Sequence, residues 1–435
     1  MVSAESIRGW WDRGGGRGQA AYFAAFNMAN ALNYGHLVLT GFLLRGHSYG
    51  LFGALFGIVY LSGALGNAVK VMVAKVVAEA NATAGDRISS SLLMAVVVKA
   101  GGAALVAALG ALAAMPLLAR AFDASAGPLL WVALSIGLSV LVPAFYGVQQ
   151  GLQDFTGLGV TVFAGSALRL LLGGALVLAG WGVTGALAGV ALGLAASGLL
   201  SLALLRGRIE PTRRPWPLKR MGQLLGMVVA ASVAMSFPTS FDVAVVGHYF
   251  PPQESSLFTA VSVLGRVVLF LPLALSFIAF PKVAAARVRG ESSWVVLLVT
   301  MGLVGTLSLG TALALMVMVN FTGWLPAGVD AAQAVGLLGW YLMAMVLFSL
   351  VVVLIYYNLG RSNAFYVYGV LLPYLLLQSA LLVSWHHSLT TVAQVVFASN
   401  AVLLALSLGL TLAPEISLLP QRAPLATGRR PLEVD

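Results

Sequence analysis

The chain has no cysteine and little charge, with 14 Asp plus Glu and 24 Lys plus Arg among 435 residues. Lacking cysteine, it can form no disulfide and offers no thiolate ligand or thiol nucleophile. A charged fraction of 9% beside 60% hydrophobic residues excludes a water-soluble globular protein, in which about a quarter of residues are charged. A phosphate-binding loop, a dinucleotide fingerprint and a Ser/His/Asp constellation in a sensible context are all missing, so neither ATP use nor enzymatic activity is expected. The His386-His387 pair has no Cys, His or carboxylate at ligand spacing, and the expectation is no metal and no cofactor. The net charge of +10 invites a nucleic-acid reading, but no soluble stretch is long enough to fold a binding domain, and membrane topology explains the charge better.

What the chain does have is apolar runs of about 20 residues, the length that crosses about 30 Å of hydrocarbon. They fall near 20–44, 51–69, 91–114, 127–148, 156–179, 183–205, 223–248, 257–280, 293–319, 332–357, 365–385 and 391–413. The runs are continuous and rich in Leu, Ala, Val and Gly, whereas barrel strands would alternate over about ten residues. The expectation is an all-α polytopic membrane protein of twelve transmembrane helices in two six-helix lobes. Its parts are an N-terminal tail (1–19), an N-lobe (20–205), a basic linker (206–222), a C-lobe (223–413) and a C-terminal tail (414–435). The first run contains Asn27, Asn30 and Asn33 and follows a charged leader, so it is expected to stay as the first helix and not to be cleaved as a signal peptide.

Charge bias predicts the orientation. With both termini cytoplasmic, the inner segments hold nineteen Lys/Arg, six of them in the linker RGRIEPTRRPWPLKR, and the outer loops hold only Arg45 and Arg120; this is a strong positive-inside bias. Trp10 and Trp11, flanked by Arg8 and Arg13, suit an interfacial anchor or an ordered tail. A shift of 206 residues lays the second run on the eighth: Leu51 on Leu257, Phe52 on Phe258, Ala68 on Ala274 and Ala78 on Ala284. With six spans per half, the repeats share one orientation and a binding site is expected between the lobes, near mid-membrane.

Four ionisable residues lie inside spans: Lys99, Arg169, Asp242 and Arg266. Each costs at least about 2.5 kcal/mol to insert at a helix centre, so the default reading is a lined cavity or pathway. Arg169 is too deep to snorkel and has Ser166 one turn before it. It is either a cavity-facing anion binder or a buried group satisfied by carbonyls of a neighbouring helix. Asp242 and Arg266 fall on consecutive antiparallel spans, which suits a structural pair, a gating pair or two separate cavity roles. Lys99, nearer the inner end, either snorkels or recruits anions.

The first span gathers Asn27, Asn30, Asn33, Tyr34, His36 and Thr40 on about half of its circumference, as interhelical hydrogen bonding or a hydrated wall requires. His36 meets Asp242 in the 206-residue register and is either a packed polar residue or a proton relay. Gly53-x-x-x-Gly57 and the Gly/Ala run from Gly180 to Gly198 suit close packing, and Pro143, Pro238, Pro272 and Pro373 predict kinks. Three positive groups against one negative give the interior a net positive field, which attracts anions. Arg169 and Arg266 would offer charge-assisted forks to such an anion, with Lys99 as an inner recruiting charge.

The stretch PAFYGVQQGLQDFTGLGVTVFAGSALRLLLGGALVLAGWGVTGALAGVALG, from Pro143 to Gly193, has a Pro-broken helix ending in Gln150-Gly151-Leu152, the Ser166-x-x-Arg169 pair and a Gly-rich turn. It resembles the fourth to sixth helices of polysaccharide flippases in the multidrug/oligosaccharidyl-lipid/polysaccharide (MOP) exporter superfamily. SLFTAVSVLGRVVLFLPLALSFIAFPKVA, which carries Arg266, resembles their eighth helix. The resemblance implies outward movement of a polyprenyl-diphosphate-linked oligosaccharide by alternating access in a bacterial inner membrane, its diphosphate held by Arg169 and Arg266 and its sugars contacted by Tyr146, Tyr341, Tyr356, Tyr357 and the polar stripe of the first span. It also implies a substrate-facing role for Arg266, and glycosyltransferases and a polysaccharide polymerase as partners. The substrate-binding candidates are then Arg169, Arg266, Lys99, Asn27, Asn30, Tyr34 and Ser166, with gating or H+/Na+ coupling candidates at Asp242 and His36. Three rivals stand beside this reading. A cation-coupled multidrug antiporter wants an embedded carboxylate, and Asp242 is the one acid placed in the bilayer. A lipid II flippase usually has two extra helices and arginines in the first span. A membrane glycosyltransferase or polymerase needs a large outer loop or a carboxylate cluster.

Overall fold

In a computed structural model of the protein, residues 16–44, 47–84, 87–122, 124–211, 218–236, 238–322 and 331–418 are described. The Trp10-Trp11 anchor, the middle of the basic linker and most of the C-terminal tail lie outside them. The N-terminal half comprises α1 (Gly16–Leu43), α2 (His47–Ala84), α3 (Ser90–Ala113), the short α4 (Met115–Phe122), α5 (Ala126–Gly151), α6 (Phe155–Leu176) and α7 (Gly182–Leu205). The second half comprises α8 (Leu218–Ser236), α9 (Pro238–Tyr249), α10 (Pro252–Phe270), α11 (Leu273–Val288), α12 (Trp294–Thr322), α13 (Ala331–Gly360), α14 (Leu372–Ser384) and α15 (Leu389–Leu418).

Among the described residues, nine helical stretches are long and apolar enough to cross a membrane. The longest, residues 155–208, reverses at Gly180 (φ 91°) and Gly182 (φ 52°) and so holds both α6 and α7. These positive φ values are open to glycine and strained for other residues. Two further helical rods, α1 with its polar stripe and the broken pair α8–α9, complete the bundle.

The expected proline breaks appear where the missing N–H frees a carbonyl. Pro238 opens α9, Pro272 separates α10 from α11, and Pro373 follows a π turn at Val367–Leu371. Pro143 is carried inside α5.

Most packing is within each half, α2 on α5 and α6 on α7 in the first, α13 on α12 and α15 in the second. The repeat register has physical content, since Phe52 and Phe258 are both fully buried, as are Ala68 with Ala274 and Ala78 with Ala284. Across the halves, α2 meets α8 and α11, and α1 meets α11. Several contacts define one end of the bundle, called here the terminal end because Gly16 lies there. Gly18 approaches Thr156, Arg208 pairs with Asp154 at 3.5 Å, and Asn358 donates to Thr411 at 2.9 Å. At the same end a two-residue parallel ladder joins β1 (Ile88–Ser89) to β2 (Ile209–Glu210).

Candidate functional site: a cationic cavity between the halves

A cavity of about 610 Å³ lies at the boundary of the two halves. From the first half it takes Asn33 of α1, Tyr60 and Lys70 of α2, Tyr146 of α5, Ser166 and Arg169 of α6 and Gly193 of α7. From the second it takes Arg266, Phe277 and Tyr356. Among the described lining residues three are cationic, Lys70, Arg169 and Arg266, and none is acidic.

Arg169 owes its position to glycine. A Cβ at Gly193 would lie 2.6 Å from the Gly165 carbonyl oxygen and 2.7 Å from Arg169 Cβ, and one at Gly189 would lie 2.4 Å from Gly173 Cα. Only glycine lets α6 and α7 meet at backbone distance there. The guanidinium donates from Nη1 to Asn33 Oδ1 at 3.3 Å and sits 4.8 Å from the centre of the Phe56 ring. Its Nε and Nη2 are buried without a protein partner. Leaving such charged donors buried and unsatisfied costs more than about 1 kcal/mol. Ser166, buried, lines the same wall.

The sequence placed Lys70 in a loop, because the apolar run ends at 69 and charges follow. Instead α2 continues to Ala84, and Lys70 lies 3.8 Å from the centre of the Phe277 ring at the cavity floor. Lys99 is exposed on α3 and does not line the cavity. Of these two lysines, the one at this cavity is Lys70.

The polar stripe of α1 divides. Asn33 faces the cavity, whereas Asn27 returns its amide to the Phe23 carbonyl at 2.9 Å. Asn30 and Tyr34 are exposed and are not among the lining residues. His36 is fully buried outside the cavity, edge-on to Phe52 at 5.9 Å, with its ring against Gly173.

Asp242 is fully buried within the second half, also outside the cavity. It accepts from the Tyr341 hydroxyl at 2.6 Å and from the Val243 N–H at 2.8 Å, with Arg266 in Coulombic range. Tyr341, 99 residues away in sequence, is a partner that no local spacing signals. Phe258, the register equivalent of Phe52, meets Tyr341 edge-on at 5.5 Å, as Phe52 meets His36 at 5.9 Å. Of the four tyrosines expected at a sugar, Tyr146 and Tyr356 line the cavity. Tyr341 serves Asp242, and Tyr357 accepts from Ser293 at 3.0 Å.

The cavity is closed at the terminal end and open at the other. At its rim Tyr60 is 71% and Phe270 43% exposed, while Phe277 and Tyr356 at the floor are buried. Below the floor, Gln150 Nε2 donates to the Phe277 carbonyl at 2.7 Å across the halves. Lys75 of α2, fully buried, donates to the carbonyls of Leu359 and Gly360, the latter at 3.1 Å. It therefore caps the C-terminus of α13, where a cation meets the negative end of the helix dipole. Glu79 joins this latch, 3.8 Å from Lys75 and 3.9 Å from Arg287, and Arg287 donates to Ser362 at 2.6 Å.

No family model and no curated protein matches the chain in sequence. Solved structures do match in shape. One is a MATE transporter in complex with MaD3S, with TM-score 0.75 and 15% identity, covering 93% of this chain and 96% of that one. Another is an outward-facing multidrug resistance MATE family transporter of the MOP superfamily, with TM-score 0.70 and 15% identity, covering 93% and 97%. A third is a MOP superfamily transporter from Pyrococcus furiosus, for which a binding pocket of reverse polarity suggests a different function; it matches with TM-score 0.72 and 17% identity, covering 92% and 95%. This chain is therefore similar over nearly its whole length to these solved transporter structures and has their MATE-like fold.

Proposed function

We infer that the protein is a flippase that moves an anionic polyprenyl-diphosphate-linked oligosaccharide from the inner to the outer leaflet of a bacterial cytoplasmic membrane by alternating access. The observation that carries this reading is the cavity lining, in which Lys70, Arg169 and Arg266 face one space with no acidic residue among its described walls. Guanidinium forks suit diphosphate oxygens, and low dielectric strengthens each contact. Tyr146, Tyr356 and the exposed Tyr60 offer faces for sugars.

With both termini cytoplasmic, as the charge bias predicts, the cavity opens outward and its closed floor faces the cytoplasm. A cell interior at negative potential then drives each net negative charge outward by about 2.3 kcal/mol per 100 mV. Transport needs no ATP on this account, and glycosyltransferases on the inner face with a polymerase on the outer are the expected partners. A multidrug antiporter would need a carboxylate facing its cationic cargo. Asp242 instead lies outside the cavity and is engaged by Tyr341, which leaves it to H+ or Na+ coupling.

The test is the fate of the lipid-linked oligosaccharide in cells carrying Arg169→Ala or Arg266→Ala. The expected result is its accumulation on the inner leaflet. Normal surface glycan together with changed sensitivity to cationic dyes would refute the flippase reading and favour the antiporter.

A further inference from the structure

Phe277 stands where the two halves and the cavity meet. Pro281, one helical turn on and carried inside α11, lacks the N–H that would bond the Phe277 carbonyl. Gln150 of the first half supplies the missing donor, its Nε2 lying 2.7 Å from that oxygen. Pro272 frees the Val268 carbonyl in the same way, and there Ser308 of the same half approaches at 3.4 Å. Of the two breaks, the one at Pro281 is mended across the halves. The Phe277 ring forms the cavity floor, edge-on to Phe26 of α1 at 5.6 Å and to Tyr356 of α13 at 5.3 Å. The Lys70 ammonium stands 3.8 Å from the centre of that ring.

No ion pair among the described residues includes Lys70, so the electron-rich face of Phe277 offers it a partial counter-charge. Lys70 belongs to α2 and Phe277 to α11, and an opening of the floor parts them. One ammonium therefore has two claimants. An anion in the cavity neutralises it and weakens its hold on the ring; the ring, in turn, lowers the positive potential that an anion meets. We propose that Phe277 competes with the cargo's diphosphate for Lys70 while the floor is closed, so that the cavity holds its cargo less tightly facing outward than facing the cytoplasm. The proposal rests on the flippase reading and adds a direction to it. Cargo is gripped on the inner side, where Lys70 is free of the ring, and released on the outer, where Lys70 is shared. By linkage, a bound anion favours the open floor to the same degree. Arg169 also lies over a ring, that of Phe56, but both belong to the first half and stay together in either state, so that contact carries no direction.

The experiment uses the full chain with Phe277 replaced, through a suppressed stop codon, by singly, doubly and triply fluorinated phenylalanine. Fluorine keeps the ring nearly the same size while draining negative charge from its face. Two quantities are read: the Kd for inorganic pyrophosphate by titration calorimetry in nanodiscs, and the rate at which a membrane-impermeant thiol reagent labels Asn67→Cys in the cavity lining from the terminal side in liposomes. The expected result is a stepwise rise in both along the series, reaching about three- to tenfold in affinity and about tenfold in labelling with the trifluorinated ring. In Lys70→Met neither quantity should follow the fluorine series. Affinity that stays level or falls along the series, with pyrophosphate still bound, would overturn the proposal and leave the cavity reading standing. Affinity that rises with unchanged labelling would overturn it as well, because the closed floor would then not depend on the shared ammonium. Absent pyrophosphate binding in the unsubstituted protein would overturn both this proposal and the cavity reading.

Discussion

Replacing Lys75 with Met should loosen the terminal-end latch while keeping most of the side chain's volume. The ammonium holds two carbonyls at the end of α13, Leu359 and Gly360, from the opposite half of the molecule. A cation at a buried helix C-terminus contributes up to about 2 kcal/mol, and both carbonyls lose a charged donor when it goes. If that contribution is present only in the closed arrangement, losing it shifts the closed-to-open ratio by about 30-fold, since 1.4 kcal/mol is tenfold. The cysteine-free chain makes the assay direct: Asn67→Cys, in the cavity lining, is the only thiol present. A membrane-impermeant thiol reagent applied from the terminal side should label it about ten- to thirtyfold faster with Lys75→Met than without. Lys75→Arg should restore slow labelling. A rate within about twofold of the parent, in a protein with unchanged melting temperature, would refute the latch.

Further outcomes follow from the same geometry. Lys70→Met should weaken pyrophosphate binding about tenfold or more, as expected for loss of a charge-assisted contact, whereas Lys99→Met should leave it unchanged; titration calorimetry on the two variants decides between them. Gly193→Val, which drives a side chain into the Gly165 carbonyl and Arg169, should destabilise the α6–α7 hairpin by about 1–3 kcal/mol, read as a lower melting temperature in detergent. Tyr341→Phe removes the hydroxyl from Asp242 and should cost about 1–3 kcal/mol; no change in melting temperature would argue against that hydrogen bond. Arg169→Lys should retain part of the pyrophosphate affinity that Arg169→Ala loses, because an ammonium keeps the charge without the planar fork.

Arg169, Ser166 and Arg266 could be singled out from sequence because a charge deep in an apolar run is expensive wherever it sits, and that expense is local information. The all-helical character and the breaks at Pro238, Pro272 and Pro373 were legible for the same reason, being set by periodicity and backbone chemistry along short stretches. Lys70 and Lys75 were not. The apolar run ends at the first charges, but α2 runs on to Ala84, with Val71–Ala78 buried between α5 and the other half. What Lys70 and Lys75 meet there, the Phe277 ring and the Leu359 and Gly360 carbonyls, is a tertiary fact with no trace in α2 itself. The pairing of Asp242 with Tyr341 and the split of the α1 stripe between Asn33 and its neighbours likewise depend on which helix lies alongside. The His36–Asp242 correspondence, visible as a register, gains meaning only when both prove fully buried.

The short β1–β2 ladder has a mechanical corollary. By stitching Ile209 and Glu210 to Ile88 and Ser89, with Arg208 held by Asp154, it fastens the departing strand to the first half almost up to the next helix. The first half therefore keeps its grip on the chain as far as Pro211, and a swing of the second half at this end finds no slack before that residue to draw on.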